Sequence, residues 1–381
     1  MIKILTIVGA RPQLIKASAI SRAINQKFSD SIHEILLHTG QHYDVNMSAV
    51  FIEELGLPQP TINLEVGSAS HATQTARMME GIEKAIFNYQ PNVVLVYGDT
   101  NSTCAGALAA AKLQVPVVHI EAGLRSFNKK MPEEVNRIVT DHVSTLLFSP
   151  TEIGFDNLVK EGFNRNSVSP HSASNPKIYH CGDIMYDNSL YFAQSASERS
   201  KIKKRIGLSD GGYILSTVHR PSNTDIASNL IEIVEGLLSI ARNGDPIVAP
   251  LHPRMEKAIR QNLPKELYDK LTSADNIHLI PPVSYLEMVE LEKGAKMIIT
   301  DSGGVQKEAF FFQKPCIVLR EETEWVELVE NGNSKLAGPD SKKIEDAYDE
   351  FTHKTEFNYP PFYGTGQTAE FICAEIIKQL G

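Results

Sequence analysis

Cysteine is scarce in this chain. Only 4 of its 381 residues are cysteines, and no two of them have the spacing of a redox pair or of zinc ligands. We therefore expect neither a disulfide framework nor a metal site. Most of the cysteines are interpreted as small buried side chains in the reducing cytoplasm.

Long apolar runs are missing as well. No run of about 18 apolar residues, the length that spans a bilayer, occurs in the sequence. The apolar segment from Met1 to Gly9 is cut short by Arg11 and Pro12, so we interpret it as a first strand rather than a signal sequence. These features predict a cytoplasmic protein with no membrane partner.

Positive charge is in deficit, because the formal net charge is -9. An acidic surface binds nucleic acid poorly, although a local basic pocket for an anionic ligand remains compatible with it. Hydrophobic residues make up 42% of the chain and charged residues 22%, as in globular proteins. A chain of 381 residues is too long for one core, so we expect two domains.

Several common catalytic signatures are absent. No Gly-x-Gly-x-x-Gly follows an apolar strand and no Gly-Lys-Ser/Thr is present, so neither a nicotinamide cofactor nor an ATP site is supported. The Gly-x-Ser-x-Gly elbow of serine hydrolases is missing too.

What the chain does contain is a regular alternation of short apolar runs and longer helical patterns. Strands that are apolar throughout and separated by helices indicate parallel sheets covered on both faces. The runs fall into two sets, which predict two doubly wound α/β domains. The predicted strands cover residues 2–8, 35–38, 93–96, 115–120, 145–148, 213–217, 246–249, 277–280, 297–299 and 316–319.

The domain boundary is predicted just after a polar stretch at residues 164–177, which is typical of a surface loop. We assign residues 1–182 to the first domain and 183–366 to the second. Two helices are predicted over residues 70–87 and 368–380, and the second of these could pack on either domain. The apolar side of the first helix is predicted from Ala72, Ala76, Met79, Ile82 and Ile86.

The most informative segment runs from Thr300 to Glu308. It is predicted as the end of a buried strand, a Ser302-Gly303-Gly304 turn and the start of a helix, whose free amides and positive dipole end favour a phosphate. Glu308 lies about one helical turn further on, where it could accept hydrogen bonds from ribose hydroxyls. The segment therefore predicts a nucleoside diphosphate site, with an ordinary strand-to-helix turn as the alternative.

Unusual polar residues follow five of the predicted strands. Ligands of parallel sheets bind beyond the carboxyl ends of the strands, so we expect one active site in the cleft between the two domains. The five segments are residues 9–12, 98–100, 121–123, 219–221 and 302–304.

Four cationic or ionisable residues at these ends could hold a diphosphate: Arg11, Lys16, His219 and Arg220. His219 could instead move a proton. The alternative for Arg11 and Lys16 is that they are solvated surface cations. His252, another histidine at a strand end, could also line the cleft.

Carboxylates at the strand ends are the acid/base candidates. Asp99, Glu121 and Glu133 would repel one another in one cleft, which raises the pKa of at least one of them. Each has a simpler alternative. Asp99 could cap a helix, Glu121 could pair with Arg125, and Glu133 could pair with Arg137.

Three other ionisable residues are interpreted as structural. Glu134 falls in the first turn of a predicted helix, where acidic residues are common because of the helix dipole. His119 and His142 lie within apolar patterns.

Taken together, these residues resemble the non-hydrolysing UDP-N-acetylglucosamine 2-epimerase family. The resemblance extends from residue 9 to about residue 325, in order and at family-like spacing. The matching motifs are residues 9–12 with Lys16, 39–42, 98–100, 121–125, 132–137, 219–220 and 300–308.

The resemblance implies two Rossmann-like domains of the GT-B type, with residues 367–381 crossing back to the first domain, and a homodimer. It also implies inversion at C2 of a UDP-sugar without a cofactor, in the service of polysaccharide biosynthesis. In that family UDP is eliminated to leave a 2-acetamidoglucal, and UDP adds back after C2 is reprotonated on the other face.

The same resemblance implies a catalytic or a substrate-binding role for each candidate site residue. Asp99, Glu121 and Glu133 would be the acid/base groups, with His219 close to the reacting atoms. Substrate binding would fall to Arg11, Lys16, Arg137, Arg220, Ser302, Gly303, Gly304 and Glu308, with Glu308 on the ribose.

Two departures from the family pattern concern the sugar and regulation. The family commonly has Thr-Glu-Arg-Pro-Glu after Arg320, whereas this chain has Trp325 in place of the arginine. In this it looks more like the branch that acts on UDP-2,3-diacetamido-2,3-dideoxyglucuronate. Many members also have an Arg-Gln pair in a regulatory site, whereas here Thr73 precedes Gln74. The alternatives to an epimerase are a GT-B glycosyltransferase with a UDP-sugar donor and a non-catalytic UDP-sugar binder.

Overall fold

The computed structural model describes residues 1–41 and 52–381, so His42, the last residue of one family motif, lies outside the described residues. The chain divides into two compact units. One comprises Met1–Leu190 with Pro361–Gly381, and the other comprises Tyr191–Pro360. Within these described ranges, no helix is both long and apolar enough to cross a membrane.

The first unit is built on a sheet of seven parallel strands in the order β3-β2-β1-β4-β5-β6-β7. Its central strand β4 reads Val-Val-Leu-Val-Tyr and all five residues are buried, because helices cover both faces of a parallel sheet. The strands are β1 (Ile2–Val8), β2 (Ile32–His38), β3 (Ile62–Asn63), β4 (Val93–Tyr97), β5 (Val117–Ile120), β6 (Leu146–Ser149) and β7 (Lys177–His180).

Helices connect these strands, and their first turns carry recognisable start signals. Pro12 lies in the first turn of α1, where its missing N–H costs nothing, and the Ser70 hydroxyl caps α2. The helices are α1 (Arg11–Ala23, continued by a π-helical turn, Ile24–Phe28), α2 (His71–Tyr89), α3 (Asn101–Lys112), α4 (Pro132–Val143), α5 (Glu152–Lys160) and α6 (Ile184–Arg199).

The second unit repeats the plan with six parallel strands in the order β10-β9-β8-β11-β12-β13. These are β8 (Ile214–Thr217), β9 (Ile247–Pro250), β10 (Ile277–Ile280), β11 (Met297–Thr300), β12 (Cys316–Val318) and β13 (Ser334–Leu336). The helices are α7 (Ile202–Arg205), α8 (Pro221–Thr224), α9 (Ala227–Arg242), α10 (Pro253–Asn262), α11 (Lys265–Ser273), α12 (Tyr285–Gly294), α13 (Gly303–Phe311), α14 (Val326–Glu330) and α15 (Ser341–His353).

The C-terminal helix α16 (Thr368–Leu380) packs on α1 in the first unit. The Asp187 carboxylate accepts hydrogen bonds from the backbone N–H groups of Thr368 and Ala369, at 3.2 and 2.8 Å. Lys27 and Glu370 form an exposed ion pair at 2.6 Å. The start of α16 is therefore fixed by a carboxylate from α6, which satisfies amides that the helix itself cannot.

The prediction of two doubly wound α/β domains is confirmed. The strand order reverses between β1 and β4 in one sheet and between β8 and β11 in the other. Ligands of open parallel sheets bind outside the strand ends at such a reversal. Gly9 and Gly98 follow β1 and β4, while His219 and Ser302 follow β8 and β11. The fold thus places candidate site residues at the reversal point of each sheet.

Candidate functional site

Asp99 lies in the turn between β4 and α3. The helix is capped by the Thr100 hydroxyl, which accepts from the Thr103 N–H, so the alternative that Asp99 is the cap is wrong. The Asp99 carboxylate instead accepts a hydrogen bond from the Arg137 guanidinium at 2.7 Å. Its charge is therefore directed at a buried cation rather than at a helix end.

The pKa of Asp99 is raised above its ordinary value. Burial is the largest cause, and the positive charge of Arg137 opposes it. The negative charge of Glu121 raises the pKa further, Lys16 lowers it, and Glu133 raises it. The predicted interaction among the carboxylates is therefore present in the first unit, and a carboxyl group that gains a proton readily is suited to acid/base chemistry.

Glu121 follows β5 with a backbone φ of +75°, a left-handed conformation that is strained for a residue with a side chain. Its carboxylate forms an ion pair with Lys16 of α1, and both side chains are almost fully buried. Gly98 lies beside this pair, because a Cβ there would stand 3.0 Å from Glu121 Oε2 and 3.3 Å from Lys16 Nζ. The alternative pairing of Glu121 with Arg125 is wrong, since Arg125 binds Asp141 and Glu161 at 2.8 and 2.7 Å.

Two adjacent glutamates in the first turn of α4 differ in exposure. Glu133 is exposed, whereas Glu134 is only 1% exposed and accepts hydrogen bonds from the backbone N–H groups of Ser126 and Phe127, both at 2.9 Å. Arg137 donates to Glu134 at 3.1 Å as well as to Asp99, rather than pairing with Glu133 as the simpler alternative supposed. The main role of Glu134 is thus to hold the loop at Ser126 and Phe127, rather than to interact with the helix dipole.

The pKa of Glu134 is lowered. Burial acts to raise it, but the two backbone N–H groups and the Arg137 charge together lower it more. A carboxylate that stays ionised keeps Arg137 in place between Glu134 and Asp99.

Two further polar residues of this unit are not singled out by the sequence: Gln13, which lies outside the matching motifs, and Asn136, which lies within the motif at residues 132–137. Gln13 is 1% exposed; its amide oxygen accepts from the Gly9 and Ala10 N–H groups, and its amide nitrogen donates to the Tyr97 carbonyl. It therefore joins the ends of β1 and β4. Asn136 donates to the Asp99 carbonyl at 2.9 Å and so joins α4 to the same turn. Arg11 lies exposed at the start of α1.

In the second unit, the Ser302-Gly303-Gly304 segment begins α13 as predicted. The Ser302 hydroxyl accepts from the Val305 N–H at 3.4 Å, and Gly303 and Gly304 form the first turn. Glu308 is buried one turn further along. A helix of nine residues that starts on two glycines presents free amides at its positive end, which suits a phosphate oxygen.

His219 and Arg220 are fixed beside this turn by Asp301, which is fully buried at the end of β11. The Asp301 carboxylate accepts from the His219 N–H at 3.0 Å, from the Arg220 N–H at 2.9 Å and from the Asn223 amide at 3.1 Å. His219 Nδ1 also lies 3.0 Å from Asp301 Oδ1. Burial raises the pKa of Asp301, but His219 and the backbone N–H groups lower it more. Asp301 therefore positions His219 and Arg220. The motif in the sequence does not by itself reveal this role.

His252 caps α10, and its ring centre lies 5.7 Å from that of His219. Burial lowers the pKa of His252, and the neighbouring charge of His219 lowers it further. His252 therefore lies beside His219, and that it lines the site stays a prediction.

Trp325 packs against the first turn of α13. Its indole N–H donates to the Gly303 carbonyl at 3.0 Å, the side chain is 4% exposed, and the Lys307 ammonium lies 4.1 Å from the ring centre. The Thr323 hydroxyl binds both Gln306 and the Trp325 N–H, at 2.6 and 3.2 Å. Trp325, the residue that departs from the family motif, therefore packs directly against the Ser-Gly-Gly turn.

Among residues 1–41 and 52–381, no group of three or more histidine, cysteine, aspartate or glutamate residues is arranged to hold a metal ion.

Comparison with known proteins gives a consistent result. A family model described as UDP-N-acetylglucosamine 2-epimerase matches residues 25–377. The UDP-2,3-diacetamido-2,3-dideoxy-D-glucuronate 2-epimerase of Pseudomonas aeruginosa is 48% identical over 377 residues, which are 99% of each chain. The UDP-N-acetylglucosamine 2-epimerase of Methanocaldococcus jannaschii is 42% identical over 373 residues, which are 97% of each chain.

A solved structure supports the same assignment. The crystal structure of the Methanocaldococcus jannaschii UDP-GlcNAc 2-epimerase in complex with UDP-GlcNAc and UDP has a TM-score of 0.85 and 40% identity to this chain. The match covers 99% of this chain and 100% of that one, and it confirms the predicted fold class. As its motifs predict, the chain belongs to the UDP-N-acetylglucosamine 2-epimerase family.

Proposed function

We propose that this protein is a non-hydrolysing UDP-sugar 2-epimerase, which inverts C2 of a 2-acetamido sugar by eliminating UDP and adding it back. The observation that carries the proposal is the set of interacting carboxylates and cations at the reversal point of the first sheet, centred on Asp99, Glu121 and Arg137. A binder or a glycosyl donor site has no need of a carboxyl group with a raised pKa beside C2.

The chemistry explains why these residue types are needed. The C2 hydrogen is not acidic, so the bond from C1 to the UDP oxygen must break ahead of proton removal and leave positive character on the ring. One carboxylate then takes the C2 proton, the C–H electron pair forms the C1=C2 bond, and UDP departs with the electron pair of the C–O bond. Proton return to the opposite face of C2 and re-addition of UDP complete the inversion.

We assign the sugar to the first unit, with Asp99, Glu121 and Glu133 as the acid/base groups and Lys16 and Arg137 as their cationic partners. Asp99 suits the proton-transfer role best, because its pKa is raised while Arg137 holds the carboxylate in one orientation. Glu133 is exposed in the first turn of α4 and faces the substrate side in this proposal.

We assign UDP to the second unit. The free amides of Gly303 and Gly304 and the Ser302 hydroxyl bind the diphosphate, and His219 and Arg220 add positive charge. Glu308 binds the ribose hydroxyls. Arg11, at the start of α1, is a further candidate cation for the diphosphate.

Two sugars are candidates because the named relatives act on them: UDP-N-acetylglucosamine and UDP-2,3-diacetamido-2,3-dideoxy-D-glucuronate. We further propose that the enzyme acts in the cytoplasm as a homodimer, and that its manno-configured product enters polysaccharide biosynthesis.

Incubation in heavy water with each UDP-sugar separately tests the function. An epimerase exchanges the C2 hydrogen for deuterium and accumulates the manno product, and the sugar with the higher kcat/KM identifies the substrate. A glycosyltransferase leaves C2 untouched and transfers sugar only when an acceptor is added. A non-catalytic binder leaves the substrate unchanged, and either of these two results would refute the proposal.

A further inference from the structure

His119 is a fully buried histidine with a bonding partner on each ring nitrogen. It lies on β5, two residues before Glu121, and is 0% exposed. Nδ1 lies 2.6 Å from an oxygen of the Asp141 carboxylate, and Nε2 lies 2.8 Å from the Gly98 carbonyl oxygen. Both distances are those of well-formed hydrogen bonds.

Both partners of the ring are acceptors. The Gly98 carbonyl can only accept, so Nε2 must carry a hydrogen. The other oxygen of Asp141 lies 2.8 Å from the Arg125 guanidinium and accepts from the Gly123 N–H at 3.1 Å, as an ionised carboxylate does, so Asp141 can only accept as well. Nδ1 must therefore also carry a hydrogen, and the ring is a cation.

The positive charge of the His119 ring belongs to a network with equal numbers of cations and anions. The second oxygen of Asp141 binds the Arg125 guanidinium at 2.8 Å, and Arg125 binds the carboxylate of Glu161, the residue that follows α5, through two hydrogen bonds of 2.7 Å. Two cations, His119 and Arg125, thus alternate with two anions, Asp141 and Glu161. A buried cation is tolerated only with such pairing.

This network also fixes the backbone next to both acid/base carboxylates. The Gly98 N–H donates to the Ile120 carbonyl at 2.9 Å and the Gly98 carbonyl is held by His119, so the residue before Asp99 is fixed through both of its backbone polar groups. Asp141 accepts from the Gly123 N–H at 3.1 Å, two residues beyond Glu121. One ion pair therefore anchors the turn of Asp99 and the turn of Glu121.

We propose that the His119 ring, with a hydrogen on each nitrogen, acts together with Asp141 as a pair of positioning residues that sets the separation of Asp99 and Glu121. Neither side chain touches the substrate. This inference rests on the proposed function in giving those two carboxylates their catalytic roles, whereas the protonation of His119 stands independently of it. The strained backbone of Glu121, with φ at +75°, makes such anchoring necessary, because an unanchored turn would relax.

The protonation state is tested on the wild-type protein. Nitrogen-15 NMR of histidine-labelled protein at neutral pH is expected to show one fully buried ring with hydrogens on both nitrogens, protected from exchange with water. The resonance is assigned as the one that disappears in His119→Gln. A single ring hydrogen on His119 would overturn the proposal, whatever the enzyme does in heavy water.

The positioning role is tested with His119→Gln and Asp141→Asn, and the exposed His33→Gln serves as a matched control. Misplaced carboxylates should lower kcat by about 100-fold, while KM and the UDP dissociation constant stay within about twofold. In Asp141→Asn the ring should also lose its Nδ1 hydrogen while it keeps the bond to Gly98.

Three results decide the matter. Folded variants with unchanged kcat would refute positioning, and so would equal losses of kcat and of UDP affinity, which indicate a general structural defect. If His119→Gln does not fold, the His119 resonance is assigned instead as the one that changes in Asp141→Asn, and the wild-type spectrum and the kinetics of Asp141→Asn then decide the matter. A wild-type protein without C2 exchange in heavy water would instead refute the proposed function alone.

Discussion

Replacing Glu134 by glutamine removes one negative charge from the most buried carboxylate of the α4 first turn. Oε2 accepts from the Ser126 N–H and from Arg137, and Oε1 accepts from the Phe127 N–H. An amide can preserve one of these oxygens but must turn its NH₂ group towards the other donors. Phe127 makes the loss more costly, because its backbone φ of +57° is held by that N–H bond.

The magnitude follows from the bonds that are lost. A hydrogen bond to a charged group contributes about 1.5–3 kcal/mol, and Glu134→Gln removes at least one. In a domain of this size each kcal/mol moves the melting temperature by about 2–4 °C, so we expect Tm to fall by roughly 3–12 °C at neutral pH.

The pH dependence has a definite sign. The folded pKa of Glu134 is lowered from 4.5, so its charge stabilises the fold fully above that pH and this contribution is lost as the pH falls through the lowered folded value. The difference in Tm between wild type and Glu134→Gln should therefore be largest at neutral pH and shrink on acidification below pH 4.5.

Calorimetric melting of the full chain from neutral to acid pH is the assay, with Glu133→Gln as the control. Glu133 is the adjacent residue, it is exposed, and the same chemical change there should alter stability by less than about 0.5 kcal/mol. The effect on turnover should be reversed. Because Glu133 is an acid/base candidate, Glu133→Gln should lower kcat more than Glu134→Gln does. Equal melting temperatures for wild type and Glu134→Gln at neutral pH, or equal destabilisation by both variants, would refute the reasoning.

Two predictions concern the sugar and the nucleotide separately. Asp99→Asn should lower turnover by orders of magnitude and leave the UDP dissociation constant unchanged in calorimetry, because it removes the proton-transfer group and no UDP contact; near-normal turnover would exclude Asp99 from the chemistry. Trp325→Phe keeps the ring but loses the N–H bond to Gly303, worth about 1 kcal/mol, and should weaken UDP binding by about fivefold. A shift in Tm with unchanged UDP affinity would show that Trp325 serves only the fold.

Much of the fold follows from the apolar runs alone. Ten strands are predicted and each overlaps an observed strand, because a strand buried on both faces has few polar residues to obscure it. The three strands without a prediction are β3, β7 and β13, which have two to four residues and lie at sheet edges. β7 begins at Lys177, the last residue of the stretch predicted as a surface loop. β10 also lies at an edge but has the mostly apolar run Ile277–Ile280, so the reason that the other three have no prediction is their short, partly polar sequence.

In helix α2, a buried polar residue makes the apolar pattern a poor guide to which side of the helix is buried. The prediction placed Ala72 and Ala76 on its buried side, and that is wrong, since both are exposed. The side chains that the structure buries are Gln74, Met78, Ile82, Ala85 and Ile86. Gln74 belongs there because it donates to the Gly67 carbonyl and accepts from Asn101, so a polar residue marks the buried side of the helix.

The candidate site residues can be named from the sequence, but their hydrogen-bond and ion-pair partners cannot. Each simple alternative drew on the neighbouring sequence: Glu121 with Arg125, or Glu133 with Arg137. The structure instead pairs Glu121 with Lys16, 105 residues away, and Asp99 with Arg137, 38 residues away. A carboxyl group becomes an acid or a base through the charges that surround it, and those charges come from separate strands and helices. The pKa of Asp99 therefore depends on groups at the end of β5 and on the α1 and α4 helices together, and a substitution in α4 should change the acidity of Asp99 without altering β4.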